Sequence, residues 1–277
     1  MLHPVIDHIN GRRNRSVPIN DGRKISLVLF GGTMTGVRSA GAMFALIEMG
    51  FAHAFDDIYT MSASFGNGCY FLSDQGSLGL SVYLDNVNGL SNRKFINFLR
   101  PWKLVDFDYL VYVVMKVKKP LNIAKIFAQK TNLWFCLHNE STKKNEYIEA
   151  HTIKEKDFFS IARAAMSISY LSLKGSASPT LVGTTKYSHP NIRGKEVITH
   201  VQHALDNGAT DVLIISNTIE QKKIVEKYFP NSDKIFSISP EKFWKLSPLC
   251  IDKEALQKTS DQMGLKTKAL FESLEKS

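Results

Sequence analysis

Apolar and polar positions alternate along the chain in a repeating order. Lys24–Phe30 (KISLVLF) is a short apolar run closed by Gly31, the pattern of a strand buried on both faces. Val37–Met49 follows with apolar residues at helical spacing and stops at Gly50. The order then repeats. Asp57–Met61 is strand-like, and Ser64–Ser73 carries Phe65, Cys69, Tyr70 and Leu72 at helical spacing. Two consecutive strand–turn–helix units predict a parallel α/β topology. Leu133–His138 and Tyr147–Ala150, separated by the polar NESTKKNE, predict a hairpin. Helices are predicted over Asp157–Ser169, Val197–Leu205 and 218–229. Asn207-Gly208 is a C-cap for the second, and Pro230 stops the third. Asp211–Ser216 and Ile235–Ile238 read as further strands, and Gly76–Lys130 as mostly helical and basic. From Lys253 to Lys276 a charged helix is predicted.

No linker separates independent units. The expected organisation is an irregular arm over 1–23, an α/β domain over 24–239 and a helical extension over 240–277. Apolar residues make up 44% of the 277 and charged residues 22%, which supports a folded core and argues against disorder. Cys69, Cys136 and Cys250 are too few and too scattered for a disulfide framework or a cysteine zinc site. The N-terminus lacks the apolar core of a Sec signal peptide, and no apolar stretch approaches a membrane span. The expected location is the cytoplasm, peripheral to a membrane, with delivery to another cell left open.

The net charge of +9 is concentrated in part. Residues 111–130 hold five lysines and no acid, interleaved with apolar side chains. That composition suits either an anionic membrane surface or a solvated basic face over the core. No nucleic-acid motif accompanies it. His200 and His203 share one predicted helix at i,i+3 without a further ligand at metal spacing, so they read as a solvated helix face. No metal or cofactor is expected.

Two turns are candidates for chemistry. GGTMTG after the first strand places Gly31, Gly32, Thr33 and Gly36 at a helix N-terminus. Backbone N–H groups there can hold a developing oxyanion. A dinucleotide turn fits poorly, since its third position is Thr33 and no acid follows the second strand. The second turn, after Asp57–Met61, carries Ser62 with Thr60 and Ser64 flanking it. A nucleophile elbow needs small residues at those flanks. Ser64, flanked by Ser62 and Gly66, is the alternative frame.

Residues 24–50, followed by FDDIYTMSASFGN, resemble the opening of patatin-like phospholipases: apolar strand, glycine turn, helix, short strand, serine turn. Phe98–Asp108, Ala162–Ser169 and Asp206–Ile215 extend the resemblance. It implies a three-layer α/β sandwich with a mostly parallel central sheet. It also implies an acyl ester or phospholipid substrate, attack by Ser62, and an oxyanion site at Gly31, Gly32 and Thr33. The family uses a Ser–Asp dyad, and the position of that Asp is taken here by His189-Pro190-Asn191. The basic residue of the first turn is Thr35. These departures lead to the expectation of weak or absent catalysis, with His189 as the only replacement base. The alternative is a non-catalytic binding or regulatory protein that keeps the fold.

Overall fold

The computed structural model describes residues 3–17, 19–86, 95–96, 104–171, 179–191 and 196–272. Phe98–Pro101 lie outside the described residues. The strands are β1 (Ile25–Leu29), β2 (Asp57–Met61), β3 (Asn132–Asn139), β4 (Lys144–Glu149), β5 (Thr180–Val182), β6 (Thr185–Ser188), β7 (Asp211–Ile215) and β8 (Ile235–Ile238). The helices are α1 (Pro4–Asn10), α2 (Val37–Glu48), α3 (Ser64–Leu72), α4 (Gly76–Ser81), α5 (Ile123–Ala128), α6 (Phe158–Met166), α7 (Glu196–Asp206), α8 (Ile219–Tyr228) and α9 (Lys253–Glu272). A π-wound segment spans Tyr109–Lys118.

The strands form one sheet. β3, β2, β1, β7 and β8 run parallel in that order, while β4, β5 and β6 add antiparallel pairs beyond β3. Every residue of β1, β2 and β7 is buried, as their apolar runs predict. Leu27 and Leu29 face one core with Met43 of α2, Phe65 of α3 and Ile161 of α6; Val28 faces a second with Val201 of α7 and Val225 of α8. Helices thus cover both faces of a mostly parallel sheet, giving three layers.

The first 23 residues depart from the expected irregular arm. Pro4–Asn10 is helical, with Pro4 in the first turn and the His3 ring accepting from the Val5 N–H. Val5, Ile6 and Ile9 are fully buried and contribute roughly 1.5–3 kcal/mol each. They share the larger core with Leu256, Met263 and Phe271 of α9, so both termini bury side chains in the same interior as the sheet.

His200 and His203 also differ from expectation. Helix α7 lies over Tyr59, Trp134 and Tyr147, so its histidine face meets aromatic rings instead of water. His200 is fully buried, bonded to Tyr147 Oη at 3.1 Å and the Leu29 carbonyl at 3.2 Å, and burial pushes its pKa down to about 3. His203 stacks on Tyr147 with ring centroids 3.9 Å apart.

Candidate active site

Strand register brings Ser62 and His189 together. β4 occupies one side of β3 over residues 134–139, so β2 and β6 must both lie on the other side. β2 runs parallel to β3 and ends with Met61 opposite Cys136. β6 enters the same lane from the opposite direction, with Ser188 opposite His138. Only Leu137 separates the two pairings. The chain leaving β2 is Ser62 and the chain leaving β6 is His189, and they meet: His189 Nε2 lies 2.7 Å from Ser62 Oγ.

Ser62 has φ of 58°, a left-handed conformation that costs a non-glycine residue about 1–2 kcal/mol. The local packing enforces it. A Cβ on Gly31 would stand 2.5 Å from Ser62 Cβ, so β1 and the serine turn touch only because residue 31 is glycine. Ser64 is a staple: its Oγ bonds Leu29 O at 2.9 Å and Met61 O and N at 2.8 Å each. With its hydroxyl turned into backbone and no exposed surface, Ser64 does not face substrate. Thr60 sits where an elbow usually has glycine. The needed space comes from the helix instead, since a Cβ on Gly68 of α3 would lie 2.4 Å from Thr60 Cγ2.

The glycine turn lies at the same sheet edge, at the carboxyl ends of parallel strands. Gln221 Nε2 donates to the Gly31 carbonyl at 2.9 Å, and Asn217 Nδ2 donates to Phe30 O at 2.5 Å. In a trans peptide the Gly32 N–H points opposite to the Gly31 carbonyl, away from Gln221. The N–H groups of Gly32, Thr33 and Ala63 have no acceptor among the described residues. Thr33 is left-handed, with φ of 50°, and its Oγ1 donates to Pro248 O at 2.5 Å. Met34 N also donates to Pro248 O, at 3.0 Å. Arg38 holds the strap that carries Pro248, donating to Asn217 O at 2.6 Å and to Trp244 O. Gly36 stands apart, backing the Tyr83 hydroxyl.

His189 is partly buried, and desolvation lowers its pKa from 6.5 to about 4, against a smaller opposing effect of the Pro190 carbonyl. The ring is therefore neutral near pH 7 and can accept a proton. Its position is set on both sides. Ser188 Oγ donates to Glu140 at 2.5 Å, and Asn145 grips Asn191 twice, donating to its carbonyl at 2.8 Å and accepting from its N–H at 3.0 Å.

Ser62 opens into a narrow apolar cavity of about 50 Å³. Phe95, Phe107, Leu110, Met115 and Met166 are among its walls, and Thr33 and Leu249 stand beside it. The lining matches an aliphatic chain in chemistry, and Ser62 is part of its wall. No group of three or more metal-ligating side chains occurs among the described residues. Nor is any of their helices long and apolar enough to cross a membrane.

Asn145, Asn217 and Gln221 were missed by the sequence reading. The signal for Gln221 was present: Thr218-Ile219-Glu220-Gln221 is a capping box, with Gln221 bonded back to Thr218 N.

No protein-family model matches the chain, and no curated protein matches it in sequence. Among solved structures, VipD from Legionella pneumophila superposes with a TM-score of 0.48 at 11% identity, over 92% of this chain and 69% of that one. The structure of the ExoU–SpcU complex from the type III secretion system of Pseudomonas aeruginosa aligns with a TM-score of 0.37 at 14% identity. That match covers 95% of this chain and 53% of the other, so the chain spans about half its length.

Proposed function

We propose that the protein is a slow serine acyl hydrolase of the patatin type, acting on a lipid acyl ester through a Ser62–His189 dyad. The observation that carries this reading is the 2.7 Å contact between His189 Nε2 and Ser62 Oγ at a strained turn beside an apolar cavity. In this mechanism Ser62 Oγ attacks the acyl carbonyl while Nε2 takes its proton. The N–H groups of Gly32, Thr33 and Ala63 receive the oxyanion. The protonated imidazole then gives its proton to the leaving alcohol, and water releases the acyl group by the reverse sequence. A base held near 4 is weak, which supports slow turnover.

The test is labelling by a fluorophosphonate probe alongside hydrolysis of a long-chain ester, in wild type, Ser62→Ala and His189→Ala. Wild-type labelling that both substitutions remove is the expected result. No labelling of folded wild type, or equal labelling of Ser62→Ala, ends the reading. A non-catalytic lipid binder is the second reading. The Pro248 contacts to Thr33 and Met34 favour it, because they seat the strap against the oxyanion turn. Fatty-acid binding without probe labelling is its signature.

A further inference from the structure

The π-wound segment Tyr109–Lys118 has two unlike faces. In a helix closed by i→i+5 bonds, residues four and five apart share a side. Leu110, Val114 and Met115 form the inner side: Val114 and Met115 are buried, and Leu110 and Met115 wall the cavity at Ser62. Tyr112, Val113, Lys116 and Val117 form the outer side. Tyr112 and Val113 are each 37% exposed and Val117 is 68% exposed. Val17, Leu181, Tyr228, Phe243 and Leu265 are also exposed, but none of them lies on a helix or strand that lines the cavity.

Lysines flank this apolar strip along the segment. Lys116 and Lys118 are exposed, Lys116 over the Phe159 ring and Lys118 bonded to the Tyr109 hydroxyl. Asp108, the acid nearest in sequence, is paired with Arg163 at 2.7 Å. The next lysines along the chain are engaged: Lys119 with Asp85 at 3.3 Å and Lys125 with Asp74 at 3.1 Å. Lys130 is exposed but lies beyond the segment, so within Tyr109–Lys118 the basic character is that of the two lysines flanking Val117.

We infer that the outer face of Tyr109–Lys118 docks the protein on an anionic lipid bilayer. Tyr112, Val113 and Val117 enter the interface, and Lys116 and Lys118 meet the headgroups. Two observations select a bilayer over a protein partner. Valines beside exposed lysines match an apolar layer under anionic headgroups. The same turn of backbone that would touch lipid also walls the apolar cavity at Ser62. Docking is independent of catalysis, so it stands or falls apart from the dyad.

The test is sedimentation of the full chain with vesicles of phosphatidylcholine and phosphatidylserine, against phosphatidylcholine alone, in wild type, Ser62→Ala and Lys116→Ala/Lys118→Ala. Binding to the anionic vesicles only, weakened by salt and unchanged in Ser62→Ala, is expected. At roughly one decade of affinity or slightly less per lysine, the double variant binds about thirtyfold more weakly. Val117→Trp adds a direct reading, with tryptophan emission quenched by brominated lipid tails beyond the wild-type level. Equal binding to both vesicle types, no binding to either, a double variant that binds as wild type, or no extra quenching at Val117→Trp would each overturn the inference. Loss of probe labelling with vesicle binding intact would strike the dyad and leave the docking face standing.

Discussion

At the amino ends of the strands, Arg12 is 1% exposed and every guanidinium N–H is used. Two bonds go to Asp21, one to Asp56, and one each to the carbonyls of Ala54 and Arg23. Asp56 also accepts from Ile25 N, where β1 begins. His8 lies 2.6 Å from Asp211, where β7 begins. At the carboxyl ends of the same strands the order is reversed. Ser62 and Thr33 hold left-handed backbones, three N–H groups lack acceptors among the described residues, and His189 is kept neutral beside a hydroxyl. The Arg12 network spends its polar groups on each other; the carboxyl edge leaves its own strained and available. That contrast is the physical mark of a site, because unsatisfied and strained groups persist only where surrounding packing over-determines them.

The contrast is broken most severely at Arg12. Arg12→Ala leaves Asp21 and Asp56 without their buried partner, and removing one member of such a network costs about 3–5 kcal/mol. Asp21 carries the cost in its titration, since its hydrogen bond to Arg12 draws its pKa down to about 2. A urea midpoint lowered to that extent is expected, with probe labelling per folded molecule unchanged. A stable Arg12→Ala protein would mean the amino-end network is not what anchors the first 23 residues.

His189→Ala is the counterpart. General-base assistance is worth on the order of 100-fold or more, so labelling falls by that factor while the urea midpoint moves little. The pH dependence sharpens the case. Because the folded ring takes a proton only near 4 instead of 6.5, the acid limb of the labelling rate in wild type falls near pH 4. Stability follows the same sign. The unfolded chain binds this proton first, so the contribution of the neutral ring is complete above about pH 6.5 and is lost as pH falls toward 4. An acid limb at 6.5 would place His189 in water and remove the argument for a desolvated base.

Much of the fold was legible because its signals are local. The strands at 25–29, 57–61, 211–215 and 235–238 are short apolar runs between turn residues. The helix ends at Gly50 and Gly208 have φ of 85° and 87°, which glycine adopts without strain. Residues whose state depends on partners far away in sequence were not legible. Pro4–Asn10 is too short to be stable alone and is helical because Val5, Ile6 and Ile9 find the core. His200 is buried because Phe30, Tyr59 and Tyr147 converge on it. In the site, the residue types at positions 31–36, 62 and 189 pointed to the turns. The shared lane of β2 and β6 along β3, which aims His189 at Ser62, is a property of register and has no trace in composition.

The grip of Asn145 on Asn191 tests how finely that register must be held. Asn145→Ala removes both hydrogen bonds two residues beyond His189, while Ser188 still holds the other side through Glu140. Misplacement of a base by a fraction of an ångström is expected to lower labelling about tenfold, with KM for the ester little changed. An unchanged rate would show that β6 alone positions the ring.

The smallest effect bears most directly on strain. In ordinary backbone, glycine is less stable than alanine by roughly 0.5–1 kcal/mol, because the unfolded chain has more freedom to lose. At Ser62 the order should reverse. Both Ser62→Gly and Ser62→Ala lose the hydrogen bond to His189, so that loss cancels between them. Alanine must still hold φ near the 58° of Ser62, at about 1–2 kcal/mol, whereas glycine adopts it freely. The difference leaves Ser62→Gly more stable than Ser62→Ala by up to about 1 kcal/mol, readable as a higher urea midpoint. An alanine variant more stable than the glycine one by the usual margin would mean the serine turn relaxes out of its left-handed conformation, and the carboxyl edge would then store no strain at its nucleophile position.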